Sequence, residues 1–129
     1  MKENGVCGIV NNAVDLKTAK VCIEFCEKYD FMYGAVGFHP ENLEDMPNRV
    51  FEEQIKLSLD VNMPIIVHDR EAHGDTLNYL RKYKPKALVH CFSGSVEMMR
   101  EVMRYGSYIS LGGVVTFKNS KLSEVIRQT

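Results

Sequence analysis

The strongest constraint on the fold is a regular alternation of short, continuously apolar runs with amphipathic stretches along all 129 residues. Polar positions do not alternate with apolar ones inside the runs, which is typical of strands buried on both faces of a parallel sheet. Five strands are predicted, at 5–10, 33–38, 64–68, 87–92 and 107–112. The pattern therefore predicts an α/β protein whose parallel strands are flanked by helices.

The stretches between the predicted strands have the spacing of amphipathic helices. Helices are predicted to begin after Asp15, Asp75 and Ser95, because short polar side chains cap helix N-termini, and others are predicted at 49–61 and near Leu122. Two architectures fit this order, a doubly wound sheet and an eight-stranded (β/α) barrel. No G-x-G-x-x-G motif follows the first strand, so a dinucleotide-binding fold has no support.

Composition narrows the classes of protein further. Apolar residues make up 45% and charged residues 26%, which excludes a disordered chain. No apolar run approaches the roughly 20 residues of a membrane span. A net charge of −1 argues against a pure nucleic-acid-binding module. The four cysteines form no C-x-x-C pair and no secretion signal precedes them, so we expect a cytoplasmic monomer with reduced thiols and no membrane partner.

Histidines recur at the ends of the predicted strands. His39, His68 and His90 each follow a run of apolar residues. The carboxyl ends of parallel strands lie on one face of a β/α protein, and active sites are found there. A single histidine at a strand end is most often structural, but three at equivalent positions favour a functional site.

His68 and His90 have closely matching contexts, P-I-I-V-H-D-R and K-A-L-V-H-C-F. Three apolar residues precede each histidine, so we expect both side chains in the same layer of adjacent strands, where two imidazoles can share a metal ion. Two histidines do not complete a catalytic site, because such sites commonly have three or more protein ligands. Cys91 is expected on the opposite face from His90, since neighbouring strand residues alternate, and this argues against a Cys–His nucleophile.

A further polar cluster, H-D-R-E-A-H, follows the third predicted strand. Its two histidines, His68 and His73, are too far apart in sequence to form the H-E-x-x-H motif of zinc proteases. Arg70 has a donor geometry that suits a phosphate or a carboxylate. We therefore expect Arg70 and His73 at the rim of the site, although a solvated charged loop explains the same residues equally well.

Four stretches of the sequence resemble the TatD-type deoxyribonuclease family of metal-dependent hydrolases: AVGFHPENL at 35–43, PIIVHDREAHGDTL at 64–77, LVHCFSGS at 88–95 and YISLGGVVTFKN at 108–119. The resemblance implies a TIM-type (β/α)8 barrel that binds two divalent metal ions (Zn²⁺, Mg²⁺ or Mn²⁺) and cleaves phosphodiester bonds in DNA. By the same resemblance, His68 and His90 correspond to metal ligands. His39, Arg70 and His73 correspond to residues near the substrate.

The departures from the family pattern are also specific. The chain has no His-x-His pair, no G-E-x-G-L-D strand between 43 and 51, and no T-D-x-P strand near its end. A complete barrel typically has about 250 residues, so we expect residues 1–129 to form a single partial barrel domain with about five of the eight strands. A segment is predicted to be missing near 46–49, together with strands at both ends. The chain is then either an internally deleted protein or part of a longer one.

Three functional hypotheses remain. The first is a metal-dependent hydrolase of phosphodiester bonds in DNA, with its catalytic acid or base unassigned and its other metal ligands outside this sequence. The second keeps the fold but takes a cyclic amide or an ester as substrate. Enzymes of that type often use a carboxylated lysine on a barrel strand, and no predicted strand here ends in lysine. The third is an inert fragment or binding module, which is the best hypothesis if these residues are the whole polypeptide.

Overall fold

The computed structural model describes residues 4–37, 47–69 and 72–129. The chain forms two compact units, Met1–Pro47 and Asn48–Thr129. Their boundary falls in the region where the sequence predicts a missing segment. Met46 lies outside the described residues, and the missing segment stays a prediction.

The first unit is a parallel β/α/β motif made of β1 (Ile9–Asn12), α1 (Leu16–Lys28) and β2 (Met32–Ala35). Asp15 caps α1 as predicted. Its carboxylate accepts the Thr18 N–H at 2.7 Å, and the Thr18 hydroxyl oxygen accepts the Asp15 N–H at 3.1 Å. This capping box satisfies backbone groups that the first helical turn would otherwise leave unpaired.

From Pro47 onward, helices and strands alternate as the sequence predicts. The elements are α2 (Pro47–Asp60), β3 (Ile65–His68), α3 (His73–Tyr83), β4 (Ala87–His90), α4 (Val96–Arg104), β5 (Tyr108–Ile109), a 3₁₀ turn (Gly113–Thr116) and α5 (Leu122–Arg127). Strands β3, β4 and β5 form one parallel sheet in that order. Because all three run the same way, their carboxyl ends lie along one edge of the sheet.

The core of the second unit lies on one face of this sheet. Val89 of β4 is fully buried and packs in a cluster with helical side chains that include Leu80, Met99, Val102 and Val125. Successive residues of a strand point to opposite faces. Val89 packs against the helices, so the next residue, which is the last of β4, points to the other face of the sheet.

Several predicted boundaries are wrong: β1 begins at Ile9 and not at residue 5, and β5 ends at Ile109 and not at residue 112. Two further boundaries are wrong for identifiable reasons. Asp75 does not cap α3, because the helix already begins at His73; its N-cap is Ala72, whose N–H donates to the Asp69 carboxylate at 3.0 Å. Asp75 lies instead in the first turn, where a negative charge favours the helix dipole. The predicted strand at 87–92 ends at its fourth residue, because Cys91 has a φ of 52° and leaves the extended conformation.

Candidate functional site

The paired histidines lie where the sequence predicts. His68 and His90 are the last residues of β3 and β4 and stand directly opposite each other in the parallel register. Their ring centroids are 6.2 Å apart with the planes tilted by 44°, and both residues are exposed. An ion bound between the two rings would lie one Zn–N bond, about 2.0–2.1 Å, from a nitrogen at the edge of each ring. Two imidazoles at this separation are therefore within reach of one ion. Their expected position in one layer of adjacent strands is confirmed.

The hydroxyl of Ser110 fixes the orientation of the His90 ring. Its Oγ lies 3.1 Å from His90 Nδ1, just past the end of β5. Metal-binding histidines usually hold their second ring nitrogen in such a hydrogen bond, which fixes the tautomer and the ring orientation. Nε2 is then the nitrogen through which His90 would bind a metal ion, and the ion would replace the contact of 3.2 Å that Nε2 makes with Cys91 Sγ. The sequence shows Ser110 at the end of a strand, but only the register with β4 shows its partner.

The expectation for Cys91 is wrong. Its Sγ lies 3.2 Å from His90 Nε2, on the same side as the imidazole and not on the opposite face. Strand alternation holds only within a strand, and the left-handed φ of 52° at Cys91 turns its side chain back toward His90. The thiol therefore contacts the imidazole, but among the residues that the structure describes it does not complete a group of three metal donors with the two histidines.

A second polar pair, which the sequence analysis did not identify, follows β3. The Asp69 side chain is 3% exposed, and its Oδ2 lies 2.7 Å from His73 Nδ1. Its other oxygen accepts the Ala72 N–H at 3.0 Å. The sequence shows an Asp four residues before a His, but Asp69 precedes the helix that begins at His73, so helical spacing does not predict this contact.

The remaining predicted site residues cannot be placed. His39 and Arg70 lie outside the described residues, and their predicted substrate contacts stay predictions. Within residues 4–37, 47–69 and 72–129, no group of three or more His, Cys, Asp or Glu side chains is arranged to hold a metal ion. The described residues thus align two histidines but contain no complete set of metal ligands.

Parallel β/α units with polar side chains at the carboxyl ends of their strands place the protein in the α/β class to which (β/α) barrels belong. A comparison with known protein families shows to which family of this class the chain belongs. The model of the TatD related DNase family matches residues 45–129, and the chain belongs to that family.

Individual relatives agree with this assignment. The uncharacterized metal-dependent hydrolase YabD of Bacillus subtilis is 34% identical over 160 positions, which cover 93% of this chain and 63% of YabD. The deoxyribonuclease Tat-D of Schizosaccharomyces pombe is 33% identical over 99 positions, which cover 74% of this chain and 30% of that protein. The chain therefore spans less than two thirds of the length of either relative.

A solved structure shows the same fold. The crystal structure of YjjV, a TatD homolog from Escherichia coli K12, superposes with a TM-score of 0.83 at 22% identity over 97% of this chain and 64% of YjjV. The predicted fold class, a TIM-type barrel of which this chain contains a part, is confirmed. In the part of the chain that the structure describes, no helix has the length and apolar character that crossing a membrane requires.

Proposed function

We propose that this protein is a metal-dependent hydrolase that cleaves phosphodiester bonds in DNA. The observation that carries the proposal is the cross-strand pair of His68 and His90 at the carboxyl edge of the sheet. Family membership supports the reaction class, since the similar proteins are named as metal-dependent hydrolases and as a deoxyribonuclease. The alternative of a cyclic amide substrate gains nothing, because none of the five described strands ends in lysine.

The residues present fit a divalent ion. His68 and His90 would hold it through imidazole nitrogens, and Ser110 keeps the His90 ring turned for that purpose. When bound, the ion supplies Lewis acidity that activates water and neutralises phosphoryl charge. We propose a second ion as well, bound by ligands beyond this pair. Imidazole suits Zn²⁺, whereas phosphoryl chemistry often uses Mg²⁺ or Mn²⁺, so all three are to be tested.

The proposal also covers the compartment and the oligomeric state of the protein. All four cysteines are free thiols, which suits a reducing compartment, and we propose a cytoplasmic monomer. DNA is its proposed partner, bound at the carboxyl edge of the sheet, and His39 and Arg70 are proposed to contact its phosphates.

The metal proposal is tested by the variants His68→Ala, His90→Ala and Ser110→Ala. We expect Ser110→Ala to weaken metal binding by roughly 10–100-fold, as loss of an outer hydrogen-bond partner does, and the histidine variants to weaken it more. Isothermal titration with Zn²⁺, Mn²⁺ and Mg²⁺ measures the affinity, and cleavage of a fluorescent single-stranded oligonucleotide measures activity. Arg49→Ala, which removes an exposed ion pair with Glu53 on α2, is the control.

Two results would decide against the proposal. Unchanged metal affinity and cleavage in both histidine variants would show that the pair binds no catalytic ion. Wild-type protein that takes up no metal and cleaves no oligonucleotide would instead be an inert fragment.

A further inference from the structure

The Asp69–His73 pair has the geometry of a proton-transfer dyad. Both oxygens of the Asp69 carboxylate are engaged, Oδ1 by the Ala72 N–H and Oδ2 by His73 Nδ1. The carboxylate is 3% exposed whereas the imidazole is 41% exposed, so the acid is fixed in the interior and the ring reaches solvent. A short contact between an anionic acceptor and a ring nitrogen is a charge-assisted hydrogen bond.

This contact determines which ring nitrogen is available for chemistry. We assign the proton in this contact to Nδ1 of His73, because a carboxylate oxygen accepts and a ring N–H donates. Nε2 is then on the edge of the ring away from Asp69. In serine hydrolases the same arrangement holds the imidazole in one tautomer and stabilises the imidazolium. A histidine held in this way can give a proton from Nε2 to a bound group.

The position of the dyad in the fold suits the proposed reaction. His73 is the first residue of α3, and His68 is the last residue of β3, which immediately precedes that helix. Both therefore belong to the carboxyl end of the same strand, the end at which β/α enzymes carry out their chemistry. The dyad and the paired histidines lie in the same compact unit, Asn48–Thr129.

We propose that His73, held by Asp69, is the general acid that protonates the leaving oxygen of the phosphodiester. This proposal rests on the proposed function. In the step, a water oxygen bonds to phosphorus, and the bond from phosphorus to the leaving nucleotide oxygen breaks with its electron pair on that oxygen. The imidazolium Nε2–H gives its proton to the oxygen, and the proton released by the attacking water restores the imidazolium through solvent. Asp69 is the positioning residue.

The pair also has a structural role, because the Asp69 carboxylate accepts the N–H of Ala72, the residue that precedes the first turn of α3. A test must therefore use a property that loss of stability alone does not change. The leaving group provides one, since a nucleoside alkoxide needs a proton to depart whereas nitrophenolate departs as a stable anion. General acids contribute about 10²–10⁴-fold to reactions that need them.

The first experiment compares two substrates with the purified full chain in Mn²⁺. His73→Gln keeps an N–H donor for Asp69 but has no proton to give at neutral pH. We expect its kcat on a single-stranded oligonucleotide to fall by about 100-fold or more. Its kcat on bis(p-nitrophenyl) phosphate should stay near that of the wild type. Arg49→Ala should be unchanged on both substrates.

The second experiment reads the protonation of the His73 ring, which needs neither metal nor turnover, and then compares cleavage. In Asp69→Asn, the amide oxygen can still accept the Ala72 N–H, but an amide N–H₂ then faces His73 Nδ1. We expect ¹⁵N NMR of the imidazole to show the proton on Nδ1 in the wild type and on Nε2 in this variant. The imidazolium loses its acceptor, so cleavage of the oligonucleotide should fall as it does in His73→Gln.

The outcomes separate the two proposals. If the wild type cleaves neither substrate with Mg²⁺, Mn²⁺ or Zn²⁺, the proposed function is wrong and the role of His73 is rejected with it. If the wild type cleaves both substrates but His73→Gln slows both equally or neither, only the role of His73 is wrong. A wild-type proton on Nε2 with Nδ1 bare would also reject the dyad.

Discussion

Gly94 occupies a position that has no room for a side chain. A Cβ built there would lie 2.8 Å from Cζ and 3.1 Å from Cε2 of Phe92, and it would also meet Sδ of Met98. Phe92 is 2% exposed and cannot move away freely. We expect Gly94→Ala to lower the free energy of unfolding by about 1–3 kcal/mol, as overpacking of a dense core does. Urea denaturation followed by circular dichroism measures the change.

Gly74 provides the matched control for this substitution. It lies in α3, and a Cβ there would meet no atom within 4 Å. Gly74→Ala should therefore leave stability unchanged or raise it by up to about 1 kcal/mol, because alanine favours a helix. If the two variants lose the same stability, the close approach of Phe92 to Gly94 is not the cause.

At the residue scale, the sequence predicted side-chain positions correctly where they depend on the apolar run within a strand. It placed His68 and His90 opposite each other because equal apolar runs precede them. It failed for Cys91, whose left-handed backbone conformation is not a property of the residue type. It also missed Asp69 and Ser110, whose partners are defined by a helix start and by the register of a neighbouring strand.

At the scale of elements, α2 and α3 are joined through the carboxylate of Glu52. It accepts a hydrogen bond from the Tyr83 hydroxyl, and it forms ion pairs with Lys56 at 3.1 Å and Lys82 at 3.4 Å. The bond from Tyr83, and then those from the lysines, lower the pKa of Glu52 from its usual 4.5 to about 2. The ionised carboxyl therefore contributes to the contact between these helices.

This lowered pKa predicts an acid-dependent loss of stability. As the pH falls below 4.5, the unfolded carboxyl takes up a proton whereas the folded one stays ionised down to about 2. The stability that Glu52 contributes is thus complete above pH 4.5 and is lost as the pH falls toward 2. We expect Glu52→Gln to flatten the dependence of the urea midpoint on pH in this window.

Tyr83→Phe tests the assigned cause, because it removes the largest contribution to the shift in pKa. It should raise the pKa of Glu52 and flatten the same part of the stability profile. Tyr105→Phe is its control, since that hydroxyl bonds to Arg81 instead. A profile that Tyr83→Phe leaves unchanged would show that the carboxyl is not held by the phenol.

The order of helices and strands was predictable, but several of their ends were not. Apolar runs identify where a strand lies because burial requires them, and the α1 cap at Asp15 followed from its side chain. The end of β4 and the start of α3 depend instead on single backbone conformations and on one buried carboxylate. Such features depend on local backbone geometry, which the spacing of apolar residues in the sequence does not indicate.

At the scale of the whole molecule, the partial barrel was predictable because the sequence lacks specific strands of a pattern that it otherwise matches. The alignment with YabD runs over 160 positions, more than the 129 residues of this chain, so that relative has positions with no counterpart here. The predicted segment near 46–49 would account for such positions. An intact mass above 14.7 kDa would show that the polypeptide is longer than this sequence.

The two compact units differ in how much apolar surface they bury. Among the residues that the structure describes, Cys22 is the one buried hydrophobic of Met1–Pro47, whereas the core cluster lies wholly within Asn48–Thr129. Amides of β4 and α4 should therefore exchange only on global unfolding, and those of β1, α1 and β2 through smaller local openings. Hydrogen–deuterium exchange with mass spectrometry measures both.

Leu80→Ala should remove a fully buried side chain from the core cluster and cost about 2–5 kcal/mol. This substitution lowers the free energy of global unfolding, so we expect the amides across Asn48–Thr129 to exchange faster. Exchange in β1 and α1 is already governed by local opening and should change little. Equal protection of both units in the wild type would contradict the uneven distribution of buried surface, and would mean that the first unit is stabilised by contacts other than its own core.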